Sequence, residues 1–124
     1  MSQSISILIV DDNLSMARVL ADVLAASGYQ VYTASSGADA LAILKDHPVH
    51  VLLTDVILPA MNGLELYRAT RQTHPSLIIM FMTAYAADEL IRQGIREGIK
   101  TVLNKPVDMD LLISMLSVLQ RNIN

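Results

Sequence analysis

The chain has 124 residues, of which 52% are hydrophobic, with one Phe, no Trp and no Cys. This length suits one domain, residues 1–124, whose core is aliphatic and methionine-rich. The absence of cysteine excludes disulfides and thiolate chemistry. The net charge is -3 and the nine Lys and Arg residues are scattered singly, which argues against direct nucleic-acid binding. No signal-peptide pattern or membrane-length apolar run is present, so we expect a cytoplasmic location and no membrane contact.

Short apolar runs alternate with amphipathic segments along the chain. Predicted strands cover residues 5–10, 30–34, 51–55, 77–82 and 101–104. Five helices follow these strands. The first begins after the Asp11-Asp12-Asn13 turn and ends at Ser27-Gly28, and the second begins after Ser35-Ser36-Gly37 and stops before Pro48. The third covers about 64–73, the fourth about 86–97, and Asp108 caps the fifth.

The helical spacing of apolar residues predicts which helix faces are buried. In the first helix these are Met16, Val19, Leu20, Val23 and Leu24, opposite Leu14, Ala17, Arg18 and Ala21. In the fourth they are Leu90, Ile91 and Ile95, with Gly98 as the C-cap, and in the fifth Leu112, Met115, Leu116 and Leu119. Strict alternation of strands and helices predicts an α/β fold with a doubly wound, five-stranded parallel sheet.

Polar residues follow four of the predicted strands at their carboxyl ends. They are Asp11 and Asp12, Asp55, Thr83, and Lys105. Parallel strands with right-handed crossovers bring these ends to one edge, where open α/β sheets bind ligands. Taken singly, each has an ordinary structural explanation: Asp55 opens the turn completed by Pro59, the acidic pair caps a helix, and Lys105 is a solvated charge.

Taken together, these motifs resemble the receiver domain of two-component response regulators over essentially the whole chain. The resemblance is carried by Asp11-Asp12, by Asp55 with Pro59 and Gly63, by Thr83-Ala84 and by Lys105-Pro106. It implies a flavodoxin-like sheet of order 2-1-3-4-5, with two helices on one face and three on the other. It also implies a cis peptide bond between Lys105 and Pro106.

The clustered charges indicate a chemistry of their own. Three crowded carboxylates repel each other, and a hard divalent cation such as Mg²⁺ relieves that repulsion in an oxygen-only site. With Mg²⁺ and Lys105 the formal charge is zero, so a phosphoryl group can approach. Asp55 is then the nucleophile that forms an aspartyl phosphate, while Mg²⁺ and Lys105 offset the charge on the transferring oxygens.

The resemblance implies a role for each residue. Asp12 and Asp55 bind the metal directly, Asp11 acts through water, and Ile57 contributes its backbone carbonyl. Thr83 hydrogen-bonds a phosphoryl oxygen and Ala84 offers its amide. The implied donor is a phosphohistidine on a sensor histidine kinase or histidine phosphotransfer domain, and the protein is a phosphoacceptor rather than a turnover enzyme.

The resemblance also implies two partner surfaces. The end of the first helix near Leu14 is the expected kinase-docking surface. Met61 and Met109 are expected near partner contacts for a different reason, because they lie in loops near the presumed active edge. The face formed by the fourth helix, fifth strand and fifth helix is expected to carry the output, often by homodimerisation.

Three positions concern how the domain would change state on phosphorylation and which alternative functions are open. Val102 stands where the family usually has Tyr or Phe, which excludes an aromatic switch there, and Tyr85 is a candidate substitute. Ile57 stands where an aspartyl-phosphate hydrolase has a second acid. Because its apolar side chain cannot orient an attacking water, slow phosphoryl loss is expected. A phosphate-independent scaffold is the other alternative, and the complete residue set disfavours it. Whether the chain is a stand-alone receiver or part of a longer regulator or hybrid kinase is open.

Overall fold

The chain folds into a five-stranded sheet whose strands alternate with five helices. The computed structural model describes residues 4–84 and 88–123. The strands are β1 Ser6–Val10, β2 Gln30–Ala34, β3 Val51–Asp55, β4 Ile78–Thr83 and β5 Thr101–Asn104. The helices are α1 Leu14–Ala26, α2 Gly37–Asp46, α3 Gly63–Thr73, α4 Asp88–Glu97 and α5 Met109–Ile123. The predicted elements are therefore confirmed to within a residue or two, although the predicted start of α4 at residue 86 lies outside the described residues.

The strands pair in parallel in the order β2-β1-β3-β4-β5, which confirms the predicted topology. Alternate residues of the buried strands enter two separate apolar clusters, one on each face. One cluster packs α1 and α5 against the sheet, and the other packs α2, α3 and α4. None of the described helices has both the length and the apolar character needed to cross a bilayer.

Side-chain caps fix where four of the helices begin. Asn13 accepts a hydrogen bond from the amide of Met16 at the start of α1, and Ser36 caps α2 in the same way. Asn62 and Glu65 form a reciprocal capping box at the start of α3. Asp108 accepts from the amide of Leu111 at 3.1 Å, as predicted for α5. Because these caps stand just after strand ends, they fix the loops at the carboxyl edge of the sheet.

The predicted buried face of α1 is wrong, because the helix is rotated about its axis by about one residue relative to the prediction. Leu20 and Leu24 are buried as expected, but Ala17 is the third inward residue. Val19 is 65% exposed and Met16 is 44% exposed, and Val23 is also exposed. Apolar residues cover more than one face of this helix, so their spacing fits either rotation. The small side chain of Ala17 then allows α1 to lie against the sheet, which leaves an apolar surface facing outward.

In α4, the predicted inward position of Ile95 is also wrong, because this side chain is 55% exposed. Leu90 and Ile91 do pack against the core, as predicted. Gly94 is the residue of the last turns that lies against the sheet, where an added Cβ would come within 2.6 Å of the Phe81 ring. Gly98 follows the helix with a φ of 124°, which agrees with its predicted C-cap role.

The last residue of α4, Glu97, is fastened to α3 by several side chains. The hydroxyl of Tyr67 donates to the backbone carbonyl of Glu97 at 2.7 Å, and Arg71 donates to the same carbonyl at 3.0 Å. The Arg68 guanidinium donates to both oxygens of the Glu97 carboxylate, at 2.9 and 2.6 Å. This hydrogen bond holds the pKa of Glu97 below its usual value. The C-terminal end of α4 is thereby fixed against α3.

Candidate functional site

The carboxyl ends of β1, β3, β4 and β5 meet at one edge of the sheet. The register pairs Asp55 of β3 with Met82 of β4, and Thr83 of β4 with Asn104 of β5. Because all of these strands run in the same direction, the residues that end or directly follow them share that edge. These residues are Asp11, Asp12, Asp55, Thr83 and Lys105.

Lys105 joins two of the carboxylates at this edge. Its Nζ lies 2.6 Å from Oδ2 of Asp11 and 2.8 Å from Oδ2 of Asp55. The Lys105 side chain is only 9% exposed, and both acids are buried. Burial lowers the pKa of Lys105, but the hydrogen bonds and negative charges of Asp11 and Asp55 outweigh it, so the net pKa is raised. The ammonium is therefore held charged between two residues 44 positions apart in the chain, Asp11 and Asp55.

Asp12 completes an acidic cluster with Asp11 and Asp55. One carboxylate oxygen from each of the three residues lies within 4.8 Å of the other two. Asp11 and Asp55 are buried whereas Asp12 is exposed, so the cluster opens toward solvent on the Asp12 side. Three carboxylates and one ammonium leave two net negative charges. Oxygen donors, an excess of two negative charges and an open side together suit a hard divalent cation such as Mg²⁺.

Backbone amides orient the two buried carboxylates. The amide of Asn13 donates to Oδ1 of Asp11 at 2.9 Å, and the amide of Ile57 donates to Oδ1 of Asp55 at 3.3 Å. In each acid the other oxygen, Oδ2, faces Lys105. Each carboxylate therefore has both of its oxygens directed by a named donor. The role of the Asn13 amide could not be predicted from the sequence, because a backbone contact does not depend on the type of side chain.

A close backbone approach holds the loop after β3 beside Asp55. The amide of Gly63 donates to the carbonyl of Val56 at 2.8 Å, which brings the start of α3 against the strand end. An added Cβ at Gly63 would lie 2.6 Å from the carbonyl oxygen of Asp55. Glycine is therefore required here, which gives a physical reason for the Gly63 part of the motif.

An open cavity of about 710 Å³ lies beside the acids, and its volume is within the range of small-ligand sites. Its lining includes all three acids, Lys105, Ala84 and Ile57. Thr83 is buried at the end of β4, one residue before Ala84. Met16 also lines the cavity, which the sequence analysis missed because it placed Met16 in the core.

Three further expectations concern residues near the site. The Lys105–Pro106 peptide bond is cis, as the resemblance implied. Val102 is partly buried and packs against the cluster that contains α4. Tyr85, the suggested substitute for an aromatic switch, lies outside the described residues.

A second, apolar groove of about 310 Å³ adjoins the acidic cavity between α1 and the loop after β5. One wall is the outward surface of α1, formed by Met16, Val19 and Val23, and the other is formed by Pro106, Val107 and Met109. Asp11 and Lys105 lie where the groove meets the acidic cavity. The apolar surface left by the rotation of α1 is thus continuous with the charged site.

The sequence is similar to a known protein family and to individual proteins. A sequence profile for the response regulator receiver domain matches residues 7–117. The sensor histidine kinase RcsC of Escherichia coli is 38% identical over 112 residues, a match that covers 90% of this chain and 12% of RcsC. The response regulator receiver protein CpdR of Brucella abortus (strain 2308) is 36% identical over 108 residues, covering 87% of this chain and 90% of CpdR.

The fold is also similar to that of solved structures. The crystal structure of a response regulator receiver domain protein (CheY-like) from Methanospirillum hungatei JF-1 superposes with a TM-score of 0.88 at 28% identity. The superposition covers 98% of this chain and 100% of that one. The chain thus spans a small part of RcsC, at 12% of its length, and nearly all of CpdR and of the solved receiver domain.

Proposed function

Because the chain belongs to the response regulator receiver domain family, we propose that its Asp55 accepts a phosphoryl group from a phosphohistidine donor. Receiver domains of this family are phosphorylation-dependent signalling switches rather than turnover enzymes. The observation that carries the assignment to Asp55 is the contact of its Oδ2 with the Lys105 ammonium at 2.8 Å, at the base of an open acidic cavity.

Mg²⁺ fits the acidic cluster as the cofactor that the family typically uses. Asp12 and Asp55 would hold it directly, Asp11 through water, and Ile57 through its backbone carbonyl. When bound, it would supply two positive charges that offset the net negative charge of the cluster. This charge balance is the condition under which an anionic phosphoryl group approaches Asp55.

The transfer itself is a displacement at phosphorus. A carboxylate oxygen of Asp55 forms the new P–O bond while the P–N bond of the phosphohistidine breaks, and the bonding electron pair leaves with the imidazole nitrogen. Lys105 donates to a phosphoryl oxygen, and the Thr83 hydroxyl and the Ala84 amide are assigned to the others. These donors stabilise the charge on the transferring oxygens, which is the main catalytic effect available to such a site.

We assign the apolar groove beside α1 to the phosphodonor protein, a sensor histidine kinase or a histidine phosphotransfer domain. The groove adjoins Asp11 and Lys105 and has exposed Met16 and Val19 on one wall. Exposed apolar side chains next to a charged site are typical of protein contact surfaces. Leu14, which is 61% exposed at the start of α1, extends this surface, and Met109 lies on the opposite wall.

We assign the output to the face formed by α4, β5 and α5, through a homodimer or another partner. Ile95 of α4 and Leu111 of α5 are both exposed apolar side chains. The phosphoryl group would shift an existing equilibrium through its contacts with Thr83 and Lys105. With Val102 on β5, that shift does not use an aromatic toggle at this position. The proposal also places the domain in the cytoplasm and includes no direct nucleic-acid binding.

Labelling with a small phosphodonor tests the proposal. The protein is incubated with Mg²⁺ and acetyl phosphate, and its intact mass is followed over time. We expect one phosphoryl adduct that is absent from Asp55→Asn and retained by Asp46→Asn, a control at an exposed acid of α2. Sustained release of inorganic phosphate over many turnovers would instead indicate a hydrolase, and no adduct would indicate a phosphate-independent scaffold.

A further inference from the structure

A groove of about 720 Å³ lies at the opposite edge of the sheet from the acids, beneath the amino ends of β4 and β5. The groove runs from α3 on one face of the sheet to α5 on the other face. We call it the basal groove and define it by Arg71, Leu77, Ile78, Lys100, Met115 and Val118. Its position has a simple cause: the register first pairs Met80 with Thr101, so β4 extends beyond the start of β5.

The floor and one wall of the basal groove are apolar. Leu77 and Ile78 are partly exposed at the start of β4, and Met115 is partly exposed on α5. Val118, one turn further along α5, is 46% exposed. These side chains contribute apolar surface that a bound ligand would remove from water.

The rim of the basal groove is cationic, although the chain as a whole is acidic. Arg71 and Lys100 line it together with His74, and no described residue of the lining carries a carboxylate. Lys100 is exposed, and no carboxylate of the described residues lies within ion-pair distance of it. The net charge of the chain is -3, so the charge of this rim is opposite in sign to that of the chain as a whole.

Arg71 is held in place before any ligand arrives. Its guanidinium lies 5.2 Å from the centre of the Tyr67 ring and donates to the backbone carbonyl of Glu97 at 3.0 Å. The Glu97 carboxylate bonds Arg68 at 2.6 Å but lies 3.9 Å from Arg71, so it neutralises Arg71 only weakly. An ordered, incompletely paired guanidinium is a suitable partner for a carboxylate.

We propose that the basal groove binds an extended peptide segment of a partner protein in which acidic and apolar residues alternate. The apolar side chains would contact Ile78 and Val118, while the carboxylates would meet Arg71 and Lys100. A groove that curves around a sheet edge suits a linear chain better than a flat bilayer surface, and its two permanent cations are too few for nucleic acid. The proposal is independent of phosphoryl chemistry, because Asp55 lies at the other edge of the sheet.

The test uses ¹⁵N-labelled protein and the synthetic peptide acetyl-Glu-Leu-Glu-Ile-Glu-Leu-Glu-amide, followed by two-dimensional amide spectra. We expect saturable shifts confined to the basal groove, weaker binding at higher salt, and no saturable binding of the same peptide with Lys in place of Glu. Lys100→Glu should weaken binding roughly fivefold by turning attraction into repulsion at an exposed site, whereas Lys45→Glu on α2 should leave it unchanged.

Asp55→Asn should bind the acidic peptide as the wild type does, which separates this test from that of the phosphoacceptor. Three results would overturn the proposal. The first is the absence of saturable shifts in the basal groove, the second is equal binding of the two peptides, and the third is unchanged affinity in Lys100→Glu. Binding of laurate without binding of the acidic peptide would also overturn it, since the groove would then select a small amphipathic anion.

Discussion

Replacing Asp12 with Asn is expected to stabilise the fold in the absence of Mg²⁺. A carboxylate oxygen of Asp12 lies within 4.8 Å of oxygens of Asp11 and Asp55, and Asp12 is the exposed member of the three. Two negative charges repel it and one ammonium attracts it, so the net effect resembles one like charge at about 5 Å. With an effective dielectric constant between about 40 and 80, that repulsion is about 1–2 kcal/mol.

A favourable interaction partly offsets this repulsion. Asp12 lies directly before Asn13, the N-cap of α1, where the helix dipole favours a negative charge by about 0.5 kcal/mol. The described residues include no hydrogen-bond partner of the Asp12 side chain that Asn would lose. We therefore expect Asp12→Asn to raise the free energy of unfolding by about 1 kcal/mol in a metal-free buffer.

Urea unfolding in EDTA and in Mg²⁺ measures the free energy of unfolding of Asp12→Asn and of the wild type without and with the cation. A ligand that binds only the folded state stabilises it in proportion to the logarithm of one plus the ratio of the free ligand concentration to the dissociation constant. Mg²⁺ should therefore stabilise the wild type, but it should stabilise Asp12→Asn much less because one of the proposed direct ligands is lost. Asp22→Asn, at an exposed acid of α1, should leave both measurements unchanged. A variant less stable than the wild type in EDTA, or equal stabilisation of both proteins by Mg²⁺, would refute the reasoning.

Three further predictions concern Lys105, Glu97 and Ala60. Lys105→Met should reduce labelling by acetyl phosphate about a hundredfold while Mg²⁺ binding persists, measured by intact mass and by titration calorimetry; equal loss of both would indicate a misfolded site. Glu97 has a lowered pKa because Arg68 hydrogen-bonds its carboxylate, so its stabilising effect should be present above about pH 4.5 and lost as pH falls. The thermal stability of Glu97→Gln should therefore approach that of the wild type in acid, and a constant difference would contradict this. Ala60 has a φ of 66° on an exposed loop, so Ala60→Gly should relieve strain and raise stability by about 0.5 kcal/mol in urea unfolding, where a lower midpoint would be the opposite result.

The sequence predicted the fold and the location of the site because both follow from alternation. Once strands and helices alternate, the strands are parallel, and residues that follow them share an edge whatever their separation in sequence. Asp11, Asp55 and Lys105 are therefore brought together by topology rather than by local patterns. The helix caps Ser36 and Asp108 were predictable for a different reason, since each acts on an amide only three residues away.

Contacts between elements were not predictable in the same way. The spacing of apolar residues in α1 fits two rotations, and only packing of Ala17 against the sheet decides between them. In α4, the exposure of Ile95 follows from the approach of Gly94 to Phe81. The fastening of Glu97 by Arg68 and Arg71 joins residues 29 and 26 positions apart on separate helices. Such pairings depend on how helices lie on the sheet, which periodicity does not specify.

The charged side chains of the site determine both its electrostatics and its proposed chemistry. Lys105 contacts Oδ2 of both Asp11 and Asp55, so its ammonium occupies one side of the proposed nucleophile before any phosphoryl group arrives. The oxygens of an incoming phosphoryl group would compete with the two carboxylates for this ammonium. The Lys105 ammonium would then move toward the phosphoryl oxygens while it stays in the acidic cavity. The negative charge of Asp12 repels the other two carboxylates and destabilises the metal-free fold. The proposed Mg²⁺ site uses this same charge to bind the cation. The acid that weakens the metal-free protein is therefore one that the proposed Mg²⁺ site uses, which is why Asp12→Asn should stabilise the metal-free protein and also reduce its stabilisation by the cation.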